Sequence, residues 1–241
     1  MSYMKDTYLT LLYIDKPETS LPETVKTISK YTEICLLDDY SEKGCREFLV
    51  HLQETYPESI TILRMEAKSG LSKTLQKGMK YAAEKGYNYI ITFDTDSSYD
   101  AESITSFLAH PPCDLVIGKR ENQTNAPLLR RLLAFTTTRI MNYCMVDSLM
   151  NVVGPNLEDC TSSFRRYSYR AFNLLAKKEL ESSEEDFHIE SLFIIQQNYG
   201  NVDEVEIPYL YKKNSPWTSK SMQNSLNYSL RLFKKKFGFK A

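Results

Sequence analysis

Two carboxylates separated by one residue, Asp94 and Asp96, end the apolar run Tyr89-Ile-Ile-Thr-Phe93. Hard oxygen ligands of this kind suit Mg2+ or Mn2+, which proteins bind through one or two carboxylates plus substrate phosphates. Asp-x-Asp also serves as a polar turn before a helix, so the metal reading leans on its place after an apolar strand. A second carboxylate pair ends Ile34-Cys-Leu-Leu-Asp38-Asp39, followed by Tyr40 and Ser41. Asp38 or Asp39 could accept a hydrogen bond from a base N–H or ribose hydroxyl, or close an Asx-type turn. A third stretch, Lys68-Ser-Gly70-Leu-Ser-Lys73, stands at a predicted helix start, where free N–H groups favour anions. It lacks P-loop spacing.

These residues need elements to position them. Apolar runs over 8–14, 33–37, 60–64, 87–93 and 115–118 predict short strands buried on both faces. Helical spacing is clearest over 71–85, where Leu71, Leu75, Met79 and Ala82 share a face. Asp100 predicts an N-cap, with Glu102 in the first turn behind it. Strand and helix alternating at this interval means an α/β fold with a mainly parallel sheet. Further on, 127–150 and 187–199 read as helices and 202–211 as a strand, with an irregular stretch at 151–159 and a basic, aromatic tail from Lys212. The 241 residues contain neither repeat nor linker, which predicts a single domain.

Composition narrows the possibilities. A net charge of −1 gives no global field for nucleic acid or an anionic membrane, so any such contact must be local. The five cysteines have no zinc spacing and read as reduced thiols of a cytoplasmic protein. The N-terminal stretch lacks the basic and apolar regions of a signal peptide, and no apolar run reaches the roughly 18 residues of a membrane span.

The three strand ends together resemble the family-two glycosyltransferases, and among them the polyprenyl-phosphate hexose synthases, the group of dolichyl-phosphate mannose synthase. That group reads DDGSxDGT, GLGxAxxxG, DADxSHxP, GxR, TSGFR and SK in order. The matching stretches here are 38–45, 70–78, 94–100, 118–120, 161–165 and 219–220, in the same order along most of the chain. The chain departs at its first strand, which ends Tyr13-Ile14-Asp15-Lys16-Pro17 rather than in a PTYNE-like stretch. Tyr40 replaces a turn glycine, and Ser163 replaces the glycine of TSGFR.

The resemblance implies a GT-A fold, with residues 1–118 as the nucleotide-sugar half and 119–241 as the acceptor half ending in a basic helix. It implies an inverting hexose transfer from a GDP- or UDP-sugar to a polyprenyl-phosphate-type lipid. Asp94 and Asp96 would hold the metal and the donor diphosphate, with Ser98 beside them. Asp38 or Asp39 would contact the nucleoside, with Lys68 near the donor. Arg120 and Arg131 would hold the acceptor phosphate, Arg130 being hard to separate from Arg131, and Lys213 and Lys220 would close from a late loop. A planar guanidinium suits that phosphate task.

A hydroxyl acceptor on a glycan, protein or nucleic acid would require a base. Glu184-Glu185-Asp186 resembles the acidic motif of sugar-to-sugar transferases, which would make Asp186 that base; acids complementing a helix start are the preferred explanation. Glu190 also aligns with a family glutamate, to which a structural role with a loop cation is open. A catalytically inactive scaffold is the remaining alternative. In the tail, Met222, Leu226, Leu230, Phe233 and Phe237 trace one helical face that could lie in a membrane interface or pack on the domain.

Overall fold

A computed structural model describes residues 6–16, 19–95, 99–121, 126–145, 156–198, 200–210 and 219–236. Among them, seven strands form one sheet: β1 (Tyr8–Ile14), β2 (Glu33–Asp38), β3 (Ile60–Arg64), β4 (Tyr89–Phe93), β5 (Leu115–Arg120), β6 (Arg165–Ser168) and β7 (Val202–Ile207). Their order is β3-β2-β1-β4-β6-β5-β7, and neighbours run parallel except β6, which is antiparallel to β4 and β5. The helices are α1 (Leu21–Ile28), α2 (Lys43–Thr55), α3 (Leu71–Lys85), α4 (Ile104–Ala109), α5 (Leu128–Cys144), α6 (Tyr169–Lys177), α7 (Phe187–Gln197) and α8 (Ser219–Lys236).

Alternation along each strand sends side chains to opposite faces, and both faces are covered. Leu9, Leu11, Cys35 and Leu37 pack under α3, α6 and α7, against Leu75, Met79, Phe172 and Leu192. Leu12, Ile14, Ile34 and Leu36 pack on the other side against Leu21, Val25, Leu49 and Phe107. The carboxyl ends of the parallel strands therefore share one edge. Because β6 runs the other way, the turn leading into it, 160–164, comes to that same edge.

Several boundaries differ from the sequence reading. Tyr87 and Asn88 precede β4, because Gly86 (φ 77°) closes α3 in the left-handed region and Tyr87 N–H returns to Ala82 O at 3.1 Å. β5 runs two residues past Gly118, since Lys119 and Arg120 pair with Glu206 and Ile207 of β7. A Cβ on Gly118 would meet Ile207 Cδ1 at 2.4 Å, which explains a glycine inside a strand. Asp100 caps as expected, accepting from Glu102 N at 3.1 Å, and the turn it starts (Ala101–Ser103) leads into α4.

The helix predicted over 127–150 stops at Cys144, and residues 146–155 of it and of the irregular stretch lie outside the described residues. β6 and α6 have no counterpart among the elements expected from the sequence. β6 is four residues with two arginines, and Arg165 and Arg166 are nonetheless buried. Arg165 donates to the carbonyls of Ser162, His188 and Cys160 at 2.6–2.7 Å; Arg166 donates to those of Phe107, His110 and Pro111 at 2.6–2.8 Å. Backbone oxygens of the preceding turn, of α4 and the residues after it, and of α7 thus solvate two buried cations.

α8 packs on the domain. Ser225, Tyr228 and Ser229 are buried, Phe233 meets the ring of Tyr143, and Lys236 Nζ donates to Tyr143 O at 3.1 Å. Of the apolar face read in the tail, Leu226 and Phe233 are half-buried, Leu230 is exposed, and Met222 and Phe237 fall outside the described side chains. Among the described residues, no helix is long and apolar enough to cross a membrane.

Candidate active site

The two carboxylates after β2 are both buried, and each is held by the protein itself. Asp38 Oδ1 accepts from Ser41 N at 2.7 Å in an Asx-type turn, and Oδ2 from Arg64 Nη1 at 2.7 Å. Burial pushes the Asp38 carboxyl up, but Arg64 and the Ser41 N–H outweigh it and hold it below the ordinary value. Tyr40, at the place of a turn glycine, adopts φ 60°, which costs a non-glycine residue about 1–2 kcal/mol. Its exposed ring lies 5.1 Å from the Arg64 guanidinium.

Asp39 reaches the start of α3. Its Oδ1 accepts from Ser69 N at 2.7 Å and its Oδ2 from Gly70 N at 3.0 Å, while Tyr13 Oη donates to Oδ2 at 3.0 Å. Leu71 N–H goes to the Glu184 carboxylate, and Ser72 N–H to Ser183 O at 3.2 Å. The expectation of free donors for an anion at this helix start is therefore corrected: the protein's own carboxylates and a carbonyl occupy them. Gly70 (φ 81°) permits the close approach, since a Cβ there would stand 2.6 Å from Ser183 O. The altered first strand joins the same network, because Lys68 Nζ pairs with Asp15 Oδ1 at 2.7 Å.

Asp94 follows β4 on this edge and is half-buried. Its Oδ2 accepts a hydrogen bond from Ser163 Oγ in the turn before β6. Ser163 also faces Tyr99, whose hydroxyl lies 3.4 Å from Ser163 Oγ and 3.3 Å from Ser162 Oγ. Burial pushes the Tyr99 phenol up to about 12, so it remains a neutral hydrogen-bonding group. Asp96 and Ser98, the other expected metal ligands, lie outside the described residues. No group of three or more His, Cys, Asp or Glu side chains gathers for a metal among the described residues. A hard carboxylate at a strand end, steadied by a hydroxyl, fits a cation completed by substrate oxygens rather than a closed protein cage.

Arg120, the last residue of β5, is buried and directs Nε and Nη2 to Asp159 at 2.6 and 2.8 Å, with Thr161 Oγ1 as a further acceptor. Burial lowers the guanidinium's affinity for its proton, and the Asp159 carboxylate more than restores it. Asp159 is steered in turn by Glu204, which accepts Asp159 N–H at 2.7 Å. On α5, Arg130 turns inward and donates to Tyr209 Oη at 2.7 Å, whereas Arg131 is exposed. The Tyr209 ring lies 5.3 Å from the Arg120 guanidinium and 5.8 Å from that of Arg130. The structure thus brings Arg130, not Arg131, beside Arg120. Lys213 and the Lys220 side chain lie outside the described residues; Lys220 has its backbone in the first turn of α8.

Asp186 precedes α7 without capping it. Its Oδ1 accepts from the preceding Glu184 N at 2.9 Å and Ser183 N at 3.3 Å. Glu190 is buried and accepts from Glu181 N and Ser182 N at 2.8 and 2.9 Å and from the Tyr228 hydroxyl, so loop amides and a phenol hold it among the described residues. Between them the two acids fold residues 181–184 against the start of α3. The residues that sequence reasoning missed are Asp159, Tyr99 and Tyr209. Asp159 and Tyr209 stand outside every motif, and Tyr99 falls inside the 94–100 stretch as an aromatic to which no role was assigned.

The architecture agrees with solved glycosyltransferase structures. Glucosyl-3-phosphoglycerate synthase of Mycobacterium tuberculosis, solved with Mn2+, UDP-glucose and phosphoglyceric acid, superposes with a TM-score of 0.69 over 98% of this chain and 81% of that one, at 12% identity. The complex of that enzyme with Mn2+, UDP and glucosyl-3-phosphoglycerate gives a TM-score of 0.66 over 98% and 81%, at 13% identity. The fold is of the GT-A type.

Sequence similarity is more specific. Undecaprenyl-phosphate mannosyltransferase of Micrococcus luteus is 24% identical over 190 residues, covering 76% of this chain and 73% of that protein. Polyprenol monophosphomannose synthase of Mycolicibacterium smegmatis is 21% identical over 203 residues, covering 82% and 73%. UDP-N-acetylglucosamine–dolichyl-phosphate N-acetylglucosaminyltransferase of Methanococcus voltae is 22% identical over 256 residues, covering 95% and 97%. The profile of Glycosyl transferase family 2 matches residues 13–175. The chain belongs to glycosyltransferase family 2.

Proposed function

We propose that this chain moves a hexose, with inversion, from a GDP- or UDP-sugar to a polyprenyl-phosphate lipid. The observation that carries the reading is the approach of Arg120 and Arg130 to one ring, Tyr209, on the sheet edge that ends in Asp94. Two guanidiniums beside a strand-end carboxylate suit a phosphate acceptor facing a metal-bound donor. The names of the three relatives, each a transferase to a lipid phosphate, support the same acceptor class.

In this reading Asp94 and Asp96 hold Mg2+ or Mn2+. The cation supplies neutralisation of the charge that grows on the departing nucleoside diphosphate. Asp38 and Asp39, fixed by Arg64, Ser41, Ser69 and Gly70, shape the nucleoside side of the pocket, with Lys68 and Asp15 at its rim. The protein aligns the two reactants. An acceptor phosphate oxygen attacks the anomeric carbon as the bond from that carbon to the diphosphate breaks, and the nucleoside diphosphate leaves. The attacking oxygen is already ionised near neutral pH, so no side chain has to remove a proton.

A lipid acceptor calls for contact with a bilayer surface, and α5 offers the better candidate. Its buried side is Arg130, Ala134, Thr137 and Met141. Leu128, Leu132 and Phe135 lie exposed on the opposite side, with Leu129 nearby and exposed Arg131 and Arg139 among them. An apolar stripe flanked by cations suits an anionic interface. The same helix carries Arg130 inward to the acceptor side.

The test is a transfer assay with radiolabelled GDP-mannose, UDP-glucose and UDP-N-acetylglucosamine, Mn2+ and a polyprenyl phosphate. Label should pass to the lipid with one of these donors in the wild-type protein, and Asp94→Asn or Asp96→Asn should abolish transfer without lowering Tm. Transfer to a free sugar hydroxyl, with none to the lipid phosphate, overturns the reading.

A further inference from the structure

We infer that Ser163 is a positioning residue for the cation site, holding the Asp94 carboxylate in the orientation that receives Mg2+ or Mn2+; this rests on the transferase reading above. Ser163 Oγ donates to Asp94 Oδ2 across a separation of 69 residues in sequence. The serine itself is firmly placed. It is 2% exposed, and its carbonyl accepts from Thr92 Oγ1 at 2.6 Å. Two residues on, Arg165 ties the turn to the carbonyls of Cys160 and Ser162 below it and to His188 of α7. The hydroxyl is therefore delivered by a turn anchored on three sides.

In the motif this turn resembles, position 163 is glycine, which has no side chain to make the contact. The substitution matters chemically because a carboxylate on a free rotamer must be ordered when the cation arrives, whereas one held by a fixed donor is ordered beforehand. Groups that orient metal ligands typically contribute about 10–100-fold in metal affinity. Ser163 also touches the Tyr99 hydroxyl, and the Tyr99 ring lies 5.4 Å from that of Tyr209. The same serine thus joins the Asp94 side of the site to the ring that Arg120 and Arg130 share.

The experiment measures Mn2+ binding by electron paramagnetic resonance in the presence of UDP or GDP, for the wild type, Ser163→Ala and Ser163→Gly, alongside Tm. We expect both variants to fold and to bind Mn2+ about tenfold or more weakly, at the scale of groups that orient metal ligands. In the transfer assay the Mn2+ concentration for half-maximal rate should rise by a similar factor, with kcat regained at saturating Mn2+. A purely structural serine would move Tm and leave Mn2+ affinity alone. Equal Mn2+ affinity in wild type and folded variants overturns the role of Ser163 and leaves the transferase reading standing. A wild-type protein that binds no Mn2+ with either nucleotide overturns both.

Discussion

Arg120 meets Asp159 with two nitrogens, at 2.6 and 2.8 Å, and both residues are buried. Asp159 belongs to none of the sequence motifs, yet it fixes the plane of a guanidinium expected at the acceptor site. Removing one partner of a buried pair strands the other charge. We expect Asp159→Asn to cost about 3–5 kcal/mol of stability.

That loss should depend on pH. Burial raises the Asp159 carboxyl, but Arg120 and Thr161 outweigh burial and hold it below its ordinary 3.8. A depressed carboxyl contributes its full stability above the unfolded value, and the contribution fades as pH falls through the folded one. Melting curves of wild type and Asp159→Asn should therefore differ by a constant amount near neutrality and converge in acid, below about pH 4. A gap that stays constant into strong acid would show that the pair is not the source.

Arg130 and Arg131 are adjacent in sequence and point to different surroundings. Arg130→Ala should raise the acceptor KM about tenfold or more, the usual scale for losing a charged hydrogen bond. Arg131→Ala should change it little with a water-soluble short-chain polyprenyl phosphate. The reverse ranking in steady-state kinetics would assign the phosphate to the exposed arginine.

Asp186→Asn tests the acceptor class. Asparagine keeps an oxygen that can accept from the Glu184 and Ser183 amides, so the fold should survive. With an ionised phosphate as nucleophile, kcat should fall only slightly. A loss of about 10²-fold or more with donor binding unchanged would make Asp186 a general base and the acceptor a hydroxyl.

The exposed side of α5 gives a further expectation. Leu132→Glu with Phe135→Glu should reduce co-sedimentation with phosphatidylglycerol vesicles and slow transfer to vesicle-borne lipid. Transfer to a soluble short-chain acceptor should be retained. Undiminished vesicle binding by the double variant would move the contact elsewhere, with the basic last turn of α8 as the next candidate.

Much of the first half of the chain was legible in the residues themselves. Leu9, Leu11, Cys35 and Leu37 alternate with Leu12, Ile14, Ile34 and Leu36, and that period of two already requires a sheet covered on both faces. Where those runs stop, Asp38, Asp39 and Asp94 stand at the strand ends. Local propensity and pattern suffice for such elements because each is decided within a few residues.

The second half of the chain was decided by contacts remote in sequence. In Leu128-Leu-Arg-Arg-Leu-Leu133 leucines flank both arginines, so periodicity cannot say which side of α5 faces the core; packing against α8 and the bond to Tyr209 leave Arg130 in and Arg131 out. β6 is invisible as a strand because its arginines read as solvent-facing, until carbonyls more than fifty residues away solvate Arg166. The start of α3 reads as an open anion site, and only the tertiary fold brings Glu184 and Ser183 to fill it from more than a hundred residues along the chain. A sequence lists donors and acceptors; which of them meet is fixed when the chain closes and each buried polar group must find its partner.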